Sequence, residues 1–332
     1  MRICARSIGV AFAITVGGLT SVPARADEGG VSFWLPGTFG SLAAVPGTPG
    51  WAFGTIYYHS SVDASASRSF DIGGSIQAGL DARADLVLFN ALYVFETPVL
   101  GARASLGVTG LVGRNSVGVD ATLTGPGGGM ISGSRSQAIT GFGDLYPQAA
   151  LKWNQGVHNF MVYTQWGLPV GAYNANRLAN LGMGHWSADA GAGYTYFNPQ
   201  TGFELSAVAG FTYNFINPAT QYQNGVDFHL DWAVSQFLSK QLHIGLVGYV
   251  YQQLTGDSGA GAMLGPFKSQ VYAVGPQIGY LFPVGDMQGY VNLKGYGEFG
   301  AKNRPEGWNI WLTFAISPSA QPPASAKMTV TK

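Results

Sequence analysis

GFELSAVAGFTYNFINPATQYQNGVDFHLDWAVSQFLSKQLHIGLVGYVYQQL, residues 202–254, decides how the rest of the chain is read. It holds three consecutive segments in which every second residue is apolar, the period of a β-strand. In the first, Phe203, Leu205, Ala207, Ala209, Phe211, Tyr213 and Phe215 alternate with Glu204, Ser206, Val208, Gly210, Thr212 and Asn214. In the second, Phe228, Leu230, Trp232 and Val234 share one face, and Asp227, His229 and Asp231 share the other. The third sets Leu242, Ile244, Leu246 and Val250 against His243, Gly245, Tyr249 and Tyr251. A soluble sandwich also alternates, but its strands run about 5–6 residues. These segments are long enough to cross a tilted bilayer path. Aromatic residues at both ends of the first segment fall where two lipid–water boundaries would lie.

Composition agrees with strands in lipid. Of 332 residues only 10% are charged, and the formal net charge is +0. A soluble surface of roughly 25–35% charged residues cannot be built from this. No apolar run of about 18 residues follows the N-terminus, so the lipid-facing surface is spread over strands. Neither a basic stripe nor a basic tail is present to neutralise phosphates, which argues against a nucleic-acid partner.

At the N-terminus Arg2 and Arg6 precede an apolar stretch from Ile8 to Val16, then Ala24-Arg25-Ala26. This reads as a secretory signal, residues 1–26, cleaved after Ala26. Cys4, the one cysteine, lies ahead of the apolar core, so the mature chain has no disulfide chemistry. Residues 27–50 are rich in Gly and Pro yet carry Phe33, Trp34 and Phe39. Prolines keep this segment out of a central strand. Two placements fit: a plug that hides its rings in the lumen, or a disordered leader on the periplasmic side.

Strand signals continue on either side of the opening stretch. They cover Trp51–Val62, Ala82–Phe95, Ala102–Gly113, Asp144–Trp153, Asn159–Leu168 and Trp186–Phe197, and later Ser269–Phe282, Gly289–Phe299 and Trp308–Ser317. The total is about twelve, an even number that leaves both ends of a barrel on one side. Short connections, such as Asn154–His158 and Ser239–Gln241, alternate with long ones expected at Ser61–Asp81, Arg114–Gly143, Pro169–His185, Ile216–Gly225, Thr255–Lys268 and Gly300–Gly307. The expected fold is therefore all-β: an antiparallel transmembrane β-barrel over residues 51–317, the short turns periplasmic and the long loops external. The last strand points Trp308, Ile310, Leu312, Phe314 and Ile316 outward, like the C-terminal aromatic signal of barrels placed by the outer-membrane insertion machinery. Here it is followed by a polar tail, residues 318–332, with Pro322 and Pro323.

Chemical motifs are sparse. Gly256-Asp257-Ser258-Gly259 matches the residues around a trypsin-like nucleophile, but that chemistry needs a partnering His and Asp in a packed fold. In a loop between spanning strands it reads as a turn. Gly125–Gly129 lacks the Lys and Ser/Thr of a phosphate loop. Asp227, His229 and Asp231, each about 7 Å from the next along one strand face, are wall residues of a polar lumen or a two-ligand grip on a solute or cation. No third ligand is identifiable, so no metal and no cofactor are read from the sequence. Met161, Tyr163, Gln165, Tyr249 and Tyr251 also point inward by alternation and complete the expected substrate path. A barrel lipase would carry Ser and His on the outward rim, whereas His229 and His243 fall inward. A closed structural or adhesive barrel is the other alternative.

Several stretches carry a resemblance beyond these patterns: Ser32–Gly37 (SFWLPG), Gly141–Tyr146 (GFGDLY), Asn176–Gly182 (NRLANLG), Asn217–Tyr222 (NPATQY), Phe228–Asp231 (FHLD) and Gly248–Gly265 (GYVYQQLTGDSGAGAMLG). Together they resemble the outer-membrane proteins of the phenol-degradation meta-pathway family, which includes sphingosine-induced outer-membrane proteins. The resemblance implies a bacterial outer-membrane channel, set in lipid, taking up small hydrophobic or aromatic solutes. It brings no catalytic or binding residues of its own, and no enzyme activity is expected.

Overall fold

Every second residue facing lipid, and the next facing inward, is a pattern that closes on itself only if the first and last strands pair. In the computed structural model they do. The structure describes residues 33–69, 75–124, 128–263 and 265–319. The signal segment, Cys4, residues 27–32, most of the 125–129 glycine run and nearly all of the C-terminal tail lie outside these.

Among the described residues there are twelve strands: β1 (Gly50–Ser69), β2 (Ser75–Val94), β3 (Arg103–Thr124), β4 (Met130–Gln155), β5 (His158–Gly167), β6 (Ser187–Asn198), β7 (Phe203–Asn214), β8 (Asp227–Phe237), β9 (Leu242–Gln253), β10 (Gln270–Val284), β11 (Met287–Lys302) and β12 (Glu306–Pro318). Each pairs antiparallel with the next, and β1 pairs with β12 from Phe53↔Ile316 to Asp63↔Glu306, closing the barrel. Closure removes free strand edges from the ring that crosses the bilayer, which is what hydrocarbon requires of a sheet; the overhanging ends of β1 and β4 run past their β12 and β5 partners outside it. The two ends meet on one rim, where the Pro318 ring lies against Gly50 (φ +121°).

The faces follow the alternation. Glu204, Ser206, Val208, Thr212 and Asn214 of β7 are buried inside, while Leu205, Phe211 and Tyr213 are exposed outside. Ile244, Leu246, Leu293, Leu312 and Phe314 extend the exposed apolar belt around the barrel. Rings edge it: Trp51, Phe53, Phe203 and Tyr280 near the short-turn rim, Phe211, Tyr213, Trp186 and Trp308 near the other.

Three expected loops are largely strand instead. β1–β4 run 20, 20, 22 and 26 residues, against 10–12 in β5–β9, whereas about 9–11 suffice to cross the bilayer. Much of Ser61–Asp81 and Arg114–Gly143 continues the ladder beyond the membrane, paired from Asp63↔Asp81 to Ser69↔Ser75 and from Asn115↔Ile139 to Thr124↔Met130. Out there both faces meet water, so the hydrogen-bond ladder persists while the apolar alternation that marks a strand disappears. Gly300–Gly307 is likewise mostly strand, turning through residues 303–305.

Candidate functional site: a filled lumen

From Pro49 the chain turns inward and climbs the lumen toward the external mouth. It carries no regular structure of its own, so its backbone groups need partners from the wall. Near the periplasmic rim Lys152 Nζ donates to the Ala43 carbonyl at 2.6 Å. The Leu42 N–H donates to Glu204 Oε1 at 2.9 Å and the Ala44 N–H to Thr195 Oγ1 at 3.0 Å. Ser41 Oγ lies 2.8 Å from Glu204 Oε2 and 2.7 Å from Ser235 Oγ. Halfway up, both oxygens of Asp231 accept backbone N–H groups, from Gly37 and from Phe39, each at 2.9 Å. Lys294 Nζ donates to the Gly37 carbonyl at 2.6 Å and sits 5.2 Å from the Trp311 ring centroid. Carboxylates of the wall meet N–H groups and ammoniums meet carbonyls, so each inward charge of this set is matched to the segment's backbone.

The rings of the segment complete the fit. Trp34 stacks on His229 with centroids 3.7 Å apart and planes 13° from parallel. Phe39 meets Tyr163 edge-on at 5.3 Å, and Phe33 lies 5.7 Å from Tyr146. The imidazole has room because residue 210 is glycine: a Cβ there would collide with His229 and with the Tyr163 hydroxyl.

The residues singled out from sequence all lie on inward faces, but most are covered. Asp227, His229 and Asp231 are at most 2% exposed. Rather than standing hydrated, Asp231 holds the N-terminal segment, Asp227 Oδ2 accepts from Asn214 Nδ2 at 2.9 Å, and His229 Nε2 donates to Asp189 Oδ2 at 2.8 Å. Met161, Tyr163, Tyr249 and Tyr251 are buried; Gln165, nearer the mouth, is half-buried. Tyr249 donates to Glu298 at 2.6 Å and accepts from Asn309 at 2.9 Å. Phe33, Trp34 and Phe39 are the rings just described.

Sequence reading missed Asp189, which also accepts from Thr212 at 2.6 Å. The alternation within residues 186–197 contained the signal, since it sets Ser187 and Asp189 on one face. It also missed the clasp at the mouth. Asp144, fully buried, accepts the Gly171 N–H at 2.7 Å and the Met183 N–H at 2.8 Å, drawing the β5–β6 connection into the opening. Asn115 Nδ2 holds the Asn180 carbonyl at 2.9 Å, and Asn217 Nδ2 reaches the Tyr173 hydroxyl at 2.8 Å.

The Gly-Asp-Ser-Gly turn belongs to the neighbouring loop. Asp257 accepts from Tyr222 at 2.5 Å and from Gln253 at 2.6 Å, so its contacts are a tyrosine and an amide rather than a histidine. Ser187 Oγ comes within 3.4 Å of His185 Nδ1, a Ser–His contact the sequence did not disclose. That nitrogen donates to the Trp186 carbonyl at 2.9 Å, which leaves it no lone pair for the serine proton.

The six stretches that carried the resemblance meet in pairs. Phe33–Gly37 lies on Phe228–Asp231, Gly141–Tyr146 clasps the loop containing Asn176–Gly182, and Asn217–Tyr222 bonds to the loop ending Gly248–Gly265.

A family model described as "Putative MetA-pathway of phenol degradation" matches residues 65–314. The match is to the family as a whole and does not single out the sphingosine-induced members. No curated protein sequence matches the chain. Among solved structures, an outer membrane channel from Pseudomonas putida F1 is similar at TM-score 0.63 and 15% identity, over 85% of this chain and 99% of that one. A FadL homologue from Pseudomonas aeruginosa aligns at TM-score 0.38 and 11% identity, over 80% and 89% of the two chains. The CymD monoaromatic hydrocarbon channel aligns at 0.32 and 7%, over 82% and 89%. The first of these shows the fold.

Proposed function

This chain belongs to the MetA-pathway phenol-degradation family, and from that premise we propose that it is a channel of the bacterial outer membrane that admits small, neutral, hydrophobic or aromatic molecules. One observation carries the reading: the charged groups from the short-turn rim to the middle of the lumen, Lys152, Glu204, Asp231 and Lys294, are bound to the N-terminal segment. They form no exposed ring of one sign, which is how ion-selective pores are built. The exposed apolar belt suits residence in lipid, with export through a cleaved signal and placement by the barrel-insertion machinery as the route there. Catalysis has no part in this function.

The test is uptake of radiolabelled toluene and of benzoate at limiting external concentration, in cells with and without the protein. Faster entry of toluene and unchanged entry of benzoate is expected. Equal entry of toluene in both strains overturns the proposal.

A further inference from the structure

The lumen has two unlike sides. On β6–β8 nearly every inward residue along the segment is sealed: Thr195, Glu204, Ser206, Val208, Ala233 and Ser235 are at most 2% exposed. On β1–β3 the inward residues at the same depth include half-buried ones, Ile56, Asn90 and Thr109, beside buried Leu88 and Ser105. An inward side chain that keeps solvent contact marks space between the N-terminal segment and that wall. The anchoring bonds agree for β1–β3, which supply none of them: Asp231, Glu204, Thr195 and Ser235 hold the segment to β6–β8, Lys294 holds it to β11, and Lys152 of β4 holds it near the short-turn rim.

Above this space, toward the mouth, lies a cavity of about 20 Å³ between Leu35, Leu86, Leu111, Tyr146 and Leu181, with Asn115 at its edge. A volume of that size holds about one water, but its walls are apolar. It widens through Leu35, a side chain of the N-terminal segment, or Leu181, on the loop clasped by Asp144. Neither movement disturbs the anchors of residues 37–45.

We propose that this cavity is the binding site for the solute, a small uncharged ring, which then descends along the inward faces of β1–β3 while residues 37–45 stay fixed to β4, β6–β8 and β11. The inference rests on the uptake reading above. It assigns selectivity to Leu86, Leu111 and Ile56, residues outside the set expected from sequence. A flat apolar ring suits the passage because Leu86, Leu88 and Ile56 offer dispersion contacts without an ion to strip of water. The polar edge at Asn115 tolerates one hydroxyl.

The experiment uses the full chain in cells, with toluene uptake as readout. Ser41 and Ser235, whose hydroxyl oxygens are 2.7 Å apart, are replaced together by cysteine, S41C/S235C, placing two sulfurs where a disulfide of about 2.05 Å can form. Oxidised and reduced forms of this one variant are compared, the cross-link being followed by its effect on electrophoretic mobility. Equal uptake by the two forms is expected. Loss of uptake on oxidation, restored by reductant, means the segment must leave the wall and overturns the proposal. In parallel, Ile56→Trp and Leu111→Trp narrow the passage at two depths, and heat-modifiable mobility checks that each barrel is folded. Each is expected to cut uptake about tenfold, the effect of one lost favourable contact step. Unchanged uptake in both folded variants overturns the route. If the unaltered protein gives no toluene uptake at all, the uptake reading itself falls, and that arm identifies this case.

Discussion

Leu230 and Asp231 are neighbours with opposite duties. Leu230 faces the lipid belt and Asp231 holds two backbone N–H groups inside the barrel. An arginine near the bilayer midplane costs roughly 2–4 kcal/mol, so Leu230→Arg is expected to lower the folded, inserted fraction, read from heat-modifiable mobility in membranes. Full insertion of that variant would contradict the assigned faces. Asp231→Ala leaves the belt untouched, and the barrel should insert. It strands the Gly37 and Phe39 N–H groups in a buried place, at about 1–3 kcal/mol each, and removes the nearest carboxylate from Lys294. The N-terminal segment should then become accessible to protease added on the periplasmic side. A segment as resistant as in the unaltered protein would mean the Lys294, Lys152 and Glu204 contacts suffice.

At the scale of elements, the loop between β5 and β6 is held at the mouth by a carboxylate on β4. Asp144 accepts two of its backbone N–H groups, and the same loop places Leu181 against Leu111 and Leu35. Arg177 stands exposed on it, available to trypsin from outside the cell. Removing a charged acceptor weakens closure by an amount that raises the open fraction roughly tenfold or more, and cleavage follows that fraction when reclosing is fast. Asp144→Ala is therefore expected to speed cleavage after Arg177 in intact cells by that factor, with the barrel still folded. An unchanged cleavage rate would show that Asn115 and Asn217 hold the loop without it. The long strands β1–β4 make a stiff external extension on the side of the barrel where this loop docks.

For the whole molecule, the residues standing inside the barrel precede it in the chain. A barrel of this strand number leaves an interior that side chains alone fill poorly, and residues 33–49 take up much of it. Comparing a chain starting at Asp27 with a version starting at Gly50, single-channel conductance should rise on deletion. Equal conductance would show that the segment fills space without obstructing passage. The same deletion exposes Glu204, Asp231, Lys152 and Lys294, so the enlarged pore should admit small ions of both signs, measurable as reversal potential near zero under a salt gradient.

Much of this was fixed locally. All twelve membrane-crossing segments and the inward or outward sense of residues such as Leu230, Asp231, Tyr163 and Tyr249 followed from a period-two pattern, because lipid demands an apolar residue at every second position of each strand. The ends of β1–β4 were not legible, since water on both faces imposes no such demand. Nor was the fate of the inward polar residues. Gly37 and Asp231 are separated by 194 positions, and an irregular segment has no periodicity that names its partners. Barrel closure brings β4, β6, β7, β8 and β11 around one axis, and only that places carboxylates opposite N–H groups and ammoniums opposite carbonyls. The sequence determined a wall, through local patterning. The tertiary structure decided what stands against the wall, because those contacts exist only once the ring of strands is shut.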